Sequence, residues 1–190
     1  MPSSEDNKTV NATATAVAPV ATDREARFAA FVADHREQAV RMAWRLTGGD
    51  QATAEEVAQE AFLRAHRALD RFRGEAALST WFYRILVRQA ANHRRWAGVR
   101  QYWGGLFKED APDPRPAPRG DPALRQRIDE AMDLLSPHQR AVFTLVHLEG
   151  FTVEETAEIV GCATGTAKSH LHRALKSLRV TLATAREEGR

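Results

Sequence analysis

Apolar residues recur every three to four positions in several separated stretches of the chain, and no segment shows a convincing strand pattern. That period is the mark of amphipathic helices and predicts an all-α protein. In the first half it predicts three helices. One covers about 23–46, with Phe28, Phe31, Val32, Met42, Ala43 and Leu46 on a single stripe, and ends at the paired glycines of "TGGD". A second, over about 53–69, turns Val57, Ala61, Phe62, Ala65 and Leu69 inward. "DRFRGE" then interrupts the pattern, and a third helix follows over about 78–96.

Between 98 and 122 the periodicity vanishes. This segment holds five of the eight prolines, and proline removes both a helical donor and the freedom a packed helix needs. It is expected to be an extended linker, with a reach of about 80 Å. Four more helices are predicted beyond it. Leu124, Ile128, Met132 and Leu135 mark one. Ser136, Pro137 and Gln139 open the next as N-cap, first helical residue and return partner. Thr152 and Glu155 form a capping box before another, and the last covers about 164–185, with Ala167, Leu171, Ala174, Leu175, Leu178 and Leu182 inward. The expected organisation is a disordered Ala/Thr/Val/Pro-biased tail (1–22), a helical domain (23–97), the linker (98–122) and a second helical domain (123–186).

Charge adds a second layer. The net value is +2, but residues 62–108 carry ten Lys/Arg against two Asp/Glu, 127–160 carry two against seven, and 161–190 carry six against two. Two basic blocks separated by an acidic one point to two anion-binding surfaces. Cys162 is the only cysteine, which excludes an intrachain disulfide or a cysteine-built zinc site and fits a reducing, cytoplasmic setting. No apolar run approaches the length of a membrane span, so no membrane insertion is expected. The N-terminus lacks the apolar segment of a secretory signal.

The candidate chemistry lies in three places. In "FTVEETAEIVGCATGTAKSHLHRALKSLR" an acidic helix, a glycine suited to positive φ and a cationic helix follow one another, the pattern of a helix-turn-helix. Ala157, four residues before the turn, supplies the small side chain that close helix approach requires. The second helix would enter a DNA major groove; the rival reading is a plain helical hairpin with a solvated basic face. His170 and His172 point about 160° apart on such a helix and cannot share a metal ion. In "LSTWFYRILVRQAANHRRW", Arg84, Arg88 and Arg95 form a stripe with Trp81 at its border, suited to the backbone and unstacked bases of single-stranded nucleic acid. The rival there is a surface helix with a core tryptophan. The loop before it, "RFRGEAALS", is polar and able to form a small base pocket. Finally, Glu55, Glu56, Gln59 and Glu60 make an acidic patch suited to a basic protein partner, part of which serves the helix dipole.

Together these segments resemble the extracytoplasmic-function (group IV) sigma factors of bacterial RNA polymerase. "EEVAQEAFLRAHRALDRFRGEAALSTWFYRI" is similar to their region 2 and "LSPHQRAVFTLVHLEGFTVEETAEIVGCATGTAKSHLHRAL" to their region 4. The resemblance covers about 28–182 and implies two small helical domains joined by an extended Pro-rich linker. It also implies that Glu55, Glu56, Gln59 and Glu60 dock on the clamp helices of the polymerase's largest subunit, and that region 4 meets the flap of the second-largest. Phe72, Arg73, Gly74 and Glu75 would capture an extruded base of the −10 element, with Trp81, Arg84, Arg88 and Arg95 on the helix beside the melted strand. Thr164, Gly165, Thr166, Lys168, Ser169, His170, His172, Arg173 and Lys176 would read the −35 element as duplex. An anti-sigma protein is a further implied partner.

The chain departs from the family pattern in places. Arg88 stands where asparagine is frequent, and Ala163 replaces the usual serine cap, leaving Thr164 to satisfy the helix end. Thr156, Cys162 and Ala167 are smaller or more polar than the usual aliphatic residues, and His170 and His172 replace arginine or bulkier residues. No paired carboxylates, activated nucleophile or phosphate-cradling glycines are evident, so neither catalysis nor a cofactor is expected. The alternative is a stand-alone regulator that binds duplex DNA through the same helix-turn-helix without polymerase.

Overall fold

The computed structural model describes residues 23–48, 50–103 and 122–188. Seven α-helices make up its architecture: α1 (Asp23–Thr47), α2 (Gln51–Ala68), α3 (Leu78–Trp103), α4 (Pro122–Asp133), α5 (Pro137–Phe143), α6 (Val153–Val160) and α7 (Thr164–Glu188). No strand occurs among the described residues. The expected linker lies partly outside them, and the tail at 1–22 wholly so.

Several boundaries are set by local chemistry. The Asp50 carboxylate accepts the Thr53 amide at 2.7 Å, which caps α2 and holds the Asp50 pKa below its ordinary value, through the bonds from Thr53. The two capping boxes exist as the sequence implied. Ser136 Oγ accepts from the Gln139 amide while the Gln139 side chain accepts the Ser136 amide; Thr152 and Glu155 do the same for α6. Two elements differ from expectation. α3 runs on through Gly98 to Trp103, because one interior glycine costs only about 1 kcal/mol, too little to stop a helix already propagating. The helix opened by Ser136 widens into a π-helical turn over Thr144–Leu148, closed by the Glu149 amide donating to the Thr144 carbonyl at 3.0 Å.

α1, α2 and α3 pack around Phe31, Met42, Ala61, Phe82 and Leu86. The Phe62 and Phe82 rings stack at 4.3 Å, and Phe31 meets Phe82 edge-on. α4, α5, α6 and α7 form the second bundle, with Ala131, Met132, Leu135, Ala174 and Leu178 buried between α4 and α7.

The two bundles do not stand apart, as the charge blocks and the linker suggested. Ala141, Leu145 and Ile159 from the second bundle join the core of the first, and Phe151 and Val160 pack against it. α3 lies along α6. Around this apolar seam, arginines reach across to the ends of helices in the other bundle. Arg84 donates to the Glu158 carbonyl through Nε (3.1 Å) and Nη2 (2.8 Å), Arg140 to the Arg45 carbonyl (3.3 Å), and Arg45 to the Leu148 carbonyl (3.2 Å). The final carbonyls of a helix lack intrahelical donors and carry partial negative charge, so guanidinium groups cap them well. Arg45 also pairs with the Glu149 carboxylate, which is only 4% exposed, and Asp133 accepts from Arg140 at 2.6 Å and Arg94 at 3.4 Å. The Arg45–Glu149 pair, with its carboxylate buried, is held better than a surface pair.

Candidate nucleic-acid interface

The loop between α2 and α3 begins with a 3-10 turn over Leu69–Arg71, and the Phe72 amide closes it on the Leu69 carbonyl at 3.1 Å. Gly74 then takes φ +74°, a value side chains disfavour, with nothing within 4 Å of where a Cβ would stand. The reversal folds Phe72 back toward α3, where its ring lies 5.1 Å from that of Trp81. Phe72, Arg73, Glu75 and Trp81, with Arg71 and Arg84, line an open pocket. The polar loop therefore does form one, with an aromatic wall and a cationic rim. Arg73 and Glu75 face each other at 3.9 Å, both well exposed. Trp81 is half-buried and Arg88 and Arg95 are exposed; Arg95 donates to Asn92 at 3.4 Å. Arg84 is committed to the seam by its two bonds to Glu158.

In the second bundle, Gly161 has φ +78° and ψ +44°, and its amide and that of Cys162 both donate to the Ala157 carbonyl. That left-handed residue ends α6 and turns the chain into α7. Ala157 is buried at the crossing, as its size suggested. On α7 the residues Ala167, Ala174 and Leu178 face inward, while Gly165, Thr166, Lys168, Ser169, His172, Arg173 and Lys176 are exposed. Two predicted readers are placed otherwise. Thr164 is half-buried and its hydroxyl bonds to no described residue, so it does not cap α7; the Ala163 carbonyl accepts from Thr166 and Ala167 instead. His170 is half-buried with its ring 5.4 Å from His138 and stacked on it, and burial, with His138 and Arg173 adding to it, lowers its pKa. His170 thus belongs to the packing of α7 on α5. Lys168 lies 4.0 Å from Glu154, and the Ser169 hydroxyl donates to the Gly165 carbonyl.

The acidic patch lies on α2. Glu55, Glu56 and Gln59 are exposed; Gln51 donates to Glu55 at 2.6 Å, and Glu60 accepts from Arg64 at 2.6 Å. Among the described residues no group of three or more His, Cys, Asp or Glu is disposed to hold a metal ion, and no helix is long and apolar enough to cross a membrane.

An aromatic, arginine-rimmed pocket in one bundle and a helix-turn-helix in the other coincide with two family matches: "Sigma-70 region 2" over residues 31–98 and "Sigma-70, region 4" over 125–178. RNA polymerase sigma-H factor of Pseudomonas aeruginosa is 33% identical over 144 residues, which cover 68% of this chain and 72% of that protein. The chain belongs to the extracytoplasmic-function sigma factors of the sigma-70 family. ECF RNA polymerase sigma-E factor of Escherichia coli K12 is 35% identical over 136 residues, covering 65% of this chain and 70% of that one. Among solved structures, the sigma factor RpoE in complex with the anti-sigma factor NepR from Bartonella quintana matches with a TM-score of 0.66 and 28% identity, over 83% of this chain and 97% of that one. CnrH in complex with the cytosolic domain of CnrY shares the fold, with a TM-score of 0.62 at 21% identity. The sigma factor is thus a transcription-initiation protein whose region 4 carries a DNA-binding helix-turn-helix.

Sequence reasoning singled out the loop, the stripe and the turn. It missed the seam residues Arg45, Glu149, Arg140 and Tyr83, which lie far apart in sequence and carry no local signal of contact. It also missed Arg71 as part of the pocket rim, although the spacing of arginines along α2 and the turn after it was there to be read.

Proposed function

We propose that this sigma factor directs core polymerase to promoters by binding the −35 element as duplex and the −10 element as melted single strand. The observation that carries this reading is the Phe72–Trp81 pocket with its arginine rim. A flat aromatic wall accepts any base face, and the cations beside it suit the phosphates of a strand whose base has left the stack. Phe72, Arg73, Gly74, Glu75, Trp81, Arg84, Arg88 and Arg95 are assigned to the −10 strand. Gly165, Thr166, Lys168, Ser169, His172, Arg173 and Lys176 are assigned to the −35 duplex, with His170 and Thr164 holding the helix that presents them. The N-terminus of α7, free of a side-chain cap, leaves amides for a DNA phosphate. Glu55, Glu56, Gln59 and Glu60 dock on the polymerase clamp helices, and region 4 on the flap of the second-largest subunit.

Arg84 cannot serve the melted strand while it caps α6, so engagement of the promoter requires the seam to part. An anti-sigma protein that favoured the packed arrangement would hold the factor inactive. The sigma factor RpoE of Bartonella quintana, solved in complex with the anti-sigma factor NepR, supports that partner.

The test is promoter-specific run-off transcription, with start sites mapped after overproduction. Transcripts appear only when core polymerase and this chain are both present, and Phe72→Ala abolishes them on duplex templates. Tight operator binding and regulation without any effect on polymerase specificity would favour the stand-alone regulator.

A further inference from the structure

The base pocket is not closed at its inner end. Arg71, on its rim, also lines a groove between α2 and α3 whose walls include Arg64, Arg67, Arg88, Gln89 and Asn92. That groove in turn shares Arg64, Gln89 and Asn92 with a cleft bordered by Glu56 and Glu60. A continuous track therefore leads from the pocket along α2 to the acidic patch.

The charges on this track change along its length. In the middle stretch no carboxylate lines the groove. Arg67, Arg71 and Arg88 are exposed, and none has an ion pair with a described residue; Arg64, at the far end, is held by Glu60. Arg64, Arg67 and Arg71 stand three and four residues apart, on one face of α2 and the turn that follows it, while Arg84 and Arg88 are four apart on α3. Guanidinium groups gathered without counter-charge repel one another, and an anionic ligand relieves that repulsion. The floor is Ala68 and Ile85, which compete for no hydrogen bond.

We propose that the α2 side of this groove, through Arg67 and Arg71, carries the phosphodiester backbone of the single strand that leaves the base pocket. This rests on the pocket being the site of base capture. From Arg64 to Arg71, the end of α2 and the turn after it rise by roughly 10 Å, enough for two or three phosphates at a stacked spacing of about 3.4 Å. Gln89 and Asn92 offer amides to base edges or phosphates along the way. The polymerase is the wrong occupant on charge grounds. A surface that docks on the Glu55, Glu56 and Glu60 patch is basic, and the arginines of the groove would repel it. Helix α2 therefore divides its labour, acidic at its N-terminal end for protein and cationic at its C-terminal end for DNA.

The experiment uses holoenzyme reconstituted from core polymerase and this chain, with a fluorescein-labelled single strand bearing the −10 element of a mapped promoter. Binding is followed by anisotropy from 0.1 to 1 M salt. Each phosphate engaged on a single strand contributes about 0.7 to the salt slope. Arg67→Gln/Arg71→Gln should lower the slope by about 1.4 and weaken binding at 0.1 M salt roughly tenfold or more. Its affinity for core polymerase should stay within about twofold, and its melting temperature, with both arginines exposed, should match the parent. Phe72→Ala should weaken binding with the slope unchanged. An unchanged slope in the arginine variant beside a weakened Phe72→Ala overturns the groove and leaves base capture standing. No effect in Phe72→Ala overturns the base-capture reading instead. Loss of core binding by the arginine variant assigns the groove to polymerase and sinks the proposal.

Discussion

The guanidinium of Arg84 donates twice to the carbonyl of Glu158, so a residue of α3 in the first bundle serves as the cap of α6 in the other. Under the proposed role of Arg84 on the melted strand, one side chain has two tasks. Packing and strand binding would exclude each other there, with the equilibrium between them setting how much of the protein is competent.

That proposed competition can be tested without touching a residue assigned to DNA. Glu149→Gln removes the buried carboxylate that Arg45 engages and to which Gln38 donates at 3.4 Å. Losing one partner of a largely buried pair costs more than losing a surface pair. The variant should expand by small-angle scattering and bind single-stranded promoter DNA more tightly. Unchanged dimensions with unchanged affinity would show that Glu149 does not hold the seam.

Tyr83 makes the seam sensitive to high pH. Its hydroxyl donates to Gln38 at 2.6 Å and its ring meets Phe151 at 5.4 Å. Burial, with Glu149 adding to it, raises its pKa from 10.0 to about 12. A proton held more tightly in the folded state stabilises fully below pH 10 and is lost progressively as pH rises toward 12. The fall in unfolding free energy between those values should be smaller in Tyr83→Phe, as urea titrations at several pH values would reveal.

Gly161→Ala should cost about 1–2 kcal/mol, because φ +78° places a Cβ against the following carbonyl. Space is not the cause: the nearest atom to a built Cβ is Arg88 Nη2 at 3.9 Å. Thermal unfolding measures the loss, and a neutral result would mean the turn relaxes to a right-handed geometry.

Thr156→Val should instead stabilise the protein by about 1 kcal/mol. The residue is fully buried on α6 and its hydroxyl has no hydrogen-bond partner among the described residues. A buried polar group without a partner carries its desolvation cost, and valine has nearly the same shape. Chemical denaturation that gave a lower midpoint for Thr156→Val would point to a hydrogen bond from the hydroxyl formed in solution.

Duplex binding should fall with the charge on α7. Arg173→Ala and Lys176→Ala remove exposed cations, and every phosphate left without its cation should reduce the salt slope on duplex by about 0.9. His170→Ala should act differently, lowering the melting temperature because the stacking on His138 disappears, while the slope stays constant.

Most of the helices, the two capping boxes and the turn followed from the sequence alone, because each is decided within a few residues; the cap expected of Thr164 and the end of α3 did not. The 3.6-residue period marks a helix, Ser136 and Thr152 find their partners three positions on, and Gly161 alone supplies the backbone the turn needs. The pocket was half legible: the loop and Trp81 were evident, but that Phe72 would swing back onto Trp81 depended on the positive φ of Gly74. What only the tertiary structure decided was the seam. Arg84 and Glu158 are 74 positions apart, and Arg45 and Glu149 are 104 apart. No local pattern encodes such pairs, since they arise when two apolar faces of separate bundles meet and the polar groups at their rim must find partners there.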